Sequence, residues 1–94
     1  MFDRYLTFRS LTAAQRAHRA LRRVGIPSRL ERAPEGMSSL GCGYVLRLRE
    51  RELVRAAELL RRQGIAFERL MLRGSSGSWE ARTRENVAAR YSGT

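Results

Sequence analysis

The chain has 94 residues, 43% hydrophobic and 30% charged, the balance of one small globular domain with a modest core. Its single cysteine and single histidine exclude a disulfide framework and a structural zinc cluster, and point to a reducing compartment. The first residues, Met1-Phe2-Asp3-Arg4-Tyr5, lack the basic start and apolar core of a secretory signal, and no run is long enough to span a bilayer, so the expected location is cytoplasmic.

The net charge of +10 comes entirely from arginine; there is no lysine. Guanidinium groups grip anions bidentately and a basic domain collects phosphates, but here the arginines are spread along the chain, which favours solvated helix faces.

Tyr5 and Thr7 alternate with Leu6 and Phe8, the pattern of a strand with one buried face. Leu11, Ala14, Ala17, Leu21 and Val24 then recur at spacings of three and four, the apolar stripe of a helix. Thr12 with Gln15 offers a capping box, and Ser10 the alternative cap. Gly25 suits a left-handed terminus, Ile26-Pro27 enforces extended chain, and Ile26 to Arg32 reads as a second strand. The same order then returns. Tyr44, Leu46 and Leu48 alternate with Val45, Arg47 and Arg49. Leu53, Ala56, Ala57 and Leu60 mark a second helix, supported by a Glu58–Arg62 pair. Gly64 closes that helix, and a fourth strand is expected from Ile65 to about Leu72.

The two halves are one unit used twice: Tyr5-Leu6 recurs as Tyr44-Val45, and Leu21 to Ile26 as Leu60 to Ile65, both 39 positions later. Strand, helix, strand twice over predicts an α+β, ferredoxin-like split βαβ sandwich (βαββαβ). Its four-stranded antiparallel sheet has the order four, one, three, two, with both helices on one face. The other face, carrying Tyr5, Thr7, Val45 and Arg47, is left for a partner, and a homodimer through it would compensate the small core. Residues 1–73 form this domain. Residues 74–94 read as a Gly/Ser linker, Gly74-Ser75-Ser76-Gly77-Ser78, followed by a short helix over Trp79 to Tyr91 or a disordered tail.

The candidate chemistry lies in Ser38-Ser39-Leu40-Gly41-Cys42-Gly43. A thiol between two glycines can meet another molecule, whereas a structural cysteine fills space, here beside Phe8. The topology brings the end of the first strand, the start of the first helix and the start of the third strand to one sheet edge. Cys42 is thus expected near Arg9, Ser10 and the amides of Leu11, Thr12 and Ala13, with Arg32 close by. Free amides and positive charge favour thiolate, drawing the thiol pKa from ~8.5 toward neutrality. Ser38, Ser39, Gly41 and Gly43 are expected to help hold whatever Cys42 carries.

The chain resembles the putative selenium/sulfur carrier protein-like domains. The resemblance covers roughly Tyr5 to Leu72. It rests on Tyr5 to Ser10, on Gly25-Ile26-Pro27, on Ser38-Ser39 and Cys42-Gly43 with Leu46-Arg47, and on Gly64-Ile65. It implies a small cytoplasmic domain with Cys42 as acceptor of sulfur or selenium, held as a persulfide or selenopersulfide. The leading expectation is therefore a carrier rather than an enzyme, without cofactor or metal, whose partners are a donor protein and an acceptor enzyme and not a membrane. The alternatives are a nucleic-acid-binding module, although the third strand lacks the aromatic pattern of RNA-recognition domains, and a dimeric regulatory or assembly domain without thiol chemistry. His18 falls near the buried helix stripe and far along the helix from Cys42, which speaks against a Cys-His pair.

Overall fold

A computed structural model describes residues 3–34, 43–73 and 79–83. The elements in chain order are β1 (Arg4–Thr7), α1 (Leu11–Arg23), β2 (Arg29–Arg32), β3 (Tyr44–Leu48), a 3-10 turn (Glu50–Glu52), α2 (Leu53–Arg62), β4 (Arg69–Arg73) and β5 (Trp79–Thr83). The sheet is antiparallel with order β2-β3-β1-β4-β5. Its first four strands reproduce the expected order and make the fold an α+β, ferredoxin-like sandwich.

The duplication extends to the hydrogen bonds that stop the helices. In α1, Gly25 N–H donates to Arg22 O (3.1 Å) and Ile26 N–H to Leu21 O (2.9 Å). In α2, Gly64 N–H donates to Arg61 O (3.1 Å) and Ile65 N–H to Leu60 O (2.9 Å). Both are Schellman closures, which need a left-handed residue; Gly25 and Gly64 have φ of +76° and +69°. Each is followed by an isoleucine turned into the core. That core joins Leu6 and Phe8 to Leu46, Leu48 and Leu70 from the sheet, and Ala14, Ala17, Leu21, Leu53, Ala56 and Leu60 from the helices.

Several details depart from the sequence reading. Ser10, not the Thr12–Gln15 box, caps α1: its backbone is extended and its Oγ accepts from Ala13 N–H at 3.1 Å, because the helix begins directly after it. The second and fourth strands start later than expected, at Arg29 and Arg69, with Ile26, Ile65 and Phe67 serving as buried anchors in the approaches to them. Residues 79–83 form a strand rather than the start of a helix. Paired from Arg69↔Thr83 to Arg73↔Trp79, they take up the backbone groups that would otherwise line the outer edge of β4, so β4 becomes an interior strand.

The face opposite the helices is also less open than expected. Val45 and Met71 are 1% and 5% exposed and form a second apolar cluster, with Tyr5 and Ala33 packed against it. Thr7 is buried on the same face, where its hydroxyl accepts from Arg69 N–H at 3.1 Å. The Arg47 guanidinium lies 5.1 Å from the Tyr5 ring centroid and donates to Glu31 Oε1 at 3.2 Å. Thr7, Val45 and Met71 are therefore buried on this face within one chain.

Candidate functional site

The site begins where β1 delivers the chain to α1. Leu6, Thr7 and Phe8 are buried; Arg9 and Ser10 emerge into solvent. Ser10 spends its side chain on Ala13 N–H and its carbonyl on Ala14 N–H (3.1 Å). The amides of Leu11 and Thr12 find no acceptor among the described residues, and the first turn of α1 carries no acidic side chain. The start of α1 thus presents two free donors beside the positive end of the helix dipole.

The neighbouring strands finish the edge. Thr7 lies opposite Val45, and Arg32 opposite Tyr44, so the ends of β1 and β2 and the start of β3 come together. Gly43, in the left-handed region at φ +79°, accepts from Ala33 N–H through its carbonyl at 2.9 Å and leads into β3. The Arg32 guanidinium sits 5.7 Å from the Tyr44 ring centroid. Arg9, Ser10, Thr12, Arg32 and Gly43 therefore belong to one sheet edge, as the topology demands. Ser38, Ser39, Gly41 and Cys42 lie outside the described residues.

A cleft of about 440 Å³ opens at the same end of α1. Arg9, Ser10, Ala13 and Arg16 form one wall, and the segment from Gly64 to Arg69 the other. The sequence reading missed this second wall. The pairing of β1 with β4 brings it there, through contacts such as Glu68 N–H to Thr7 O at 2.7 Å, and no local motif signals a contact made across the length of the domain.

His18 stands apart from this edge. Its Nδ1 lies 3.0 Å from Ser28 Oγ, near the opposite end of β2, and burial, reinforced by Arg22, holds its pKa below 6.5. It is a satisfied, half-buried side chain. Among the described residues no group of three or more His, Cys, Asp or Glu side chains could hold a metal, and no helix is long and apolar enough to cross a membrane.

Fold and edge together define a small α+β sandwich whose exposed groups converge where α1 begins, at the entry to β3. Residues 3–71 match the family described as putative Se/S carrier protein-like, and the chain belongs to that family. No curated protein and no solved structure matches the chain.

Proposed function

We propose that this protein is a chalcogen carrier that holds sulfur or selenium on Cys42 and passes it to an acceptor enzyme. The observation that carries this reading is the family match over residues 3–71, which includes Cys42. The chemistry of the edge supports it. Cys42 is joined by one peptide bond to Gly43, and Gly43 enters β3 beside the end of β1. The free amides at the start of α1, with Arg9 and Arg32, form an environment that favours thiolate.

In the proposed step the Cys42 thiolate attacks the terminal sulfur of a donor persulfide, R–S–SH. A new S–S bond forms, the donor's S–S bond breaks, and the donor leaves as its thiolate R–S⁻. The proton stays on the transferred sulfur. The exchange needs neither an oxidant nor a general base from this chain, and runs best for a thiol with a pKa near ambient pH. Selenium in the terminal position follows the same course.

The test is incubation with a cysteine desulfurase and free cysteine, followed by intact-mass measurement. The wild-type protein is expected to gain the mass of one sulfur atom, reversibly on thiol reduction, and the Cys42→Ser variant to gain none. Equal labelling of the two overturns the reading. Alkylation rate against pH tests activation separately: a thiol pKa at or above the free value of ~8.5 removes the activated thiolate.

A further inference from the structure

The two helices occupy equivalent places in the duplicated unit, and the later one serves as an internal control on the charge of the earlier. Arg16, Arg22 and Arg23 of α1 recur 39 positions on as Arg55, Arg61 and Arg62. In the second unit these arginines are answered. Arg55 Nη1 lies 3.1 Å from Glu52, and Arg61 and Arg62 lie 3.1 Å and 3.4 Å from Glu58. In the first unit the position of Glu52 is Ala13, and that of Glu58 is a further arginine, Arg19. Among the described residues, Arg16, Arg19, Arg22 and Arg23 have no carboxylate partner, and all four are exposed.

The fold does not require this. The second unit, ended by the same closure, accepts Glu58 within α2 and Glu52 at the N-cap just before it, so the unbalanced arginines belong to the sequence of α1 rather than to the fold. Beyond the helix, the cleft that Arg16 borders is flanked by Arg9 and Arg69, both exposed, against a single carboxylate in its lining, Glu68. A 13-residue helix is about 20 Å long, enough to follow several phosphates.

We propose that this arginine face is a docking surface for the phosphodiester backbone of a nucleic acid. An acidic protein is the other polyanion to weigh, but protein interfaces draw on apolar or aromatic anchors near their centre. The exposed large apolar side chains of this unit, Leu11 and Val24, stand at the two ends of the helix, while Thr12 and Gln15 are the exposed neutral residues beside the arginines. A phosphate backbone needs no such anchor, and planar guanidinium groups match phosphate oxygens two by two. The surface reads charge and spacing rather than sequence.

The test is fluorescence anisotropy of the full chain with a labelled RNA hairpin that presents both a stem and a single-stranded loop, titrated over a range of salt concentrations. Poly-glutamate serves as the competing polyanion. Binding is expected to weaken linearly in log–log form, with a slope near −0.9 per phosphate contacted in duplex and shallower in single strand. Two variants separate place from charge, since Arg19→Glu on α1 and Arg51→Glu beside α2 each lower the formal net charge of +10 by two. Arg19→Glu, which copies the Glu58 arrangement into α1, is expected to weaken binding ~10-fold and flatten the slope; Arg51→Glu is expected to change it less than ~2-fold. Circular dichroism checks that both are folded, and Arg16→Gln supplies a second α1 variant expected to weaken binding in the same sense. The proposal is overturned if the wild type shows no salt-dependent binding, if the α1 and α2 variants lose affinity equally, or if poly-glutamate binds as tightly as the RNA.

Discussion

α1 and α2 close on the same two hydrogen bonds, send equivalent leucines into one core and are each followed by a buried isoleucine. Around that shared frame their surfaces differ. α2 and its preceding 3-10 turn intersperse three glutamates among four arginines, whereas α1 has four arginines and no carboxylate. The apolar positions of a repeated unit answer to the core it must fill, while its exposed positions are free to diverge. A charge pattern present in one copy and balanced in the other is therefore a better guide to function than the overall charge of the chain.

Substitutions at matched positions test how far the equivalence goes. The largest effect belongs to the core: Leu21→Ala and Leu60→Ala, both at fully buried leucines, are each expected to cost about 2–5 kcal/mol in a urea unfolding curve. If one proves nearly neutral, the two helices do not share the core evenly. At the helix ends, Gly25→Ala and Gly64→Ala place a Cβ on a left-handed backbone with open space around it. Conformational cost alone, about 1–2 kcal/mol at each, should appear in the same measurement. A loss at one site only would break the symmetry of the closures.

The charge difference has a smaller energetic signature. Arg19→Glu should stabilise the fold by a few tenths of a kcal/mol, since each exposed i,i+3 or i,i+4 pair is worth about 0.2–0.5 kcal/mol, and Glu58→Arg should destabilise it comparably. Both shifts should shrink in about 1 M salt, where screening acts within about 3 Å. Shifts indifferent to salt would mean that packing, not charge, separates the helices.

The smallest expected effect lies in the titration of a histidine, which the first helix has and the second lacks, because His18 corresponds to Ala57. Burial keeps the folded-state pKa of His18 below its unfolded value, so the unfolded chain takes up the proton first. Stability is then unaffected by this group well above pH 6.5 and declines as pH falls through 6.5 toward the folded-state pKa. Comparing wild type with His18→Gln should show that decline removed; an unchanged pH profile would deny the histidine any role in it.

Much of this architecture is legible in the sequence, for physical reasons visible in particular residues. Two Gly-Ile stops at equal offset, each after a stripe of Leu and Ala, specify helix ends and buried anchors locally, and chirality of the crossovers does the rest. The gathering of Arg9, Ser10, Arg32 and Gly43 at one edge follows from that topology. What escaped depends on distant partners. Trp79 to Thr83 has weak alternation and follows a Gly/Ser run that reads as a linker, yet the unsatisfied edge of β4 recruits it as a strand. Met71 joins Val45 under Tyr5 only once the register of β4 against β1 is known. The cleft beside α1 escaped for the same reason. Ser10 prevailed over the capping box because the first helical residue is Leu11, a boundary that periodicity does not resolve to one position.

The placement of β1 has a consequence for how the protein is made. β1, made before the other strands of this sheet, sits in its middle, and one of its neighbours, β4, is synthesised much later: Thr7 and Arg69 bond to each other across 62 positions of sequence. At about 5–20 residues per second, β1 waits about 3–12 s for that neighbour. Over that interval α1 and β1 have few of their final contacts, and the nascent chain displays its arginines before it has a complete core.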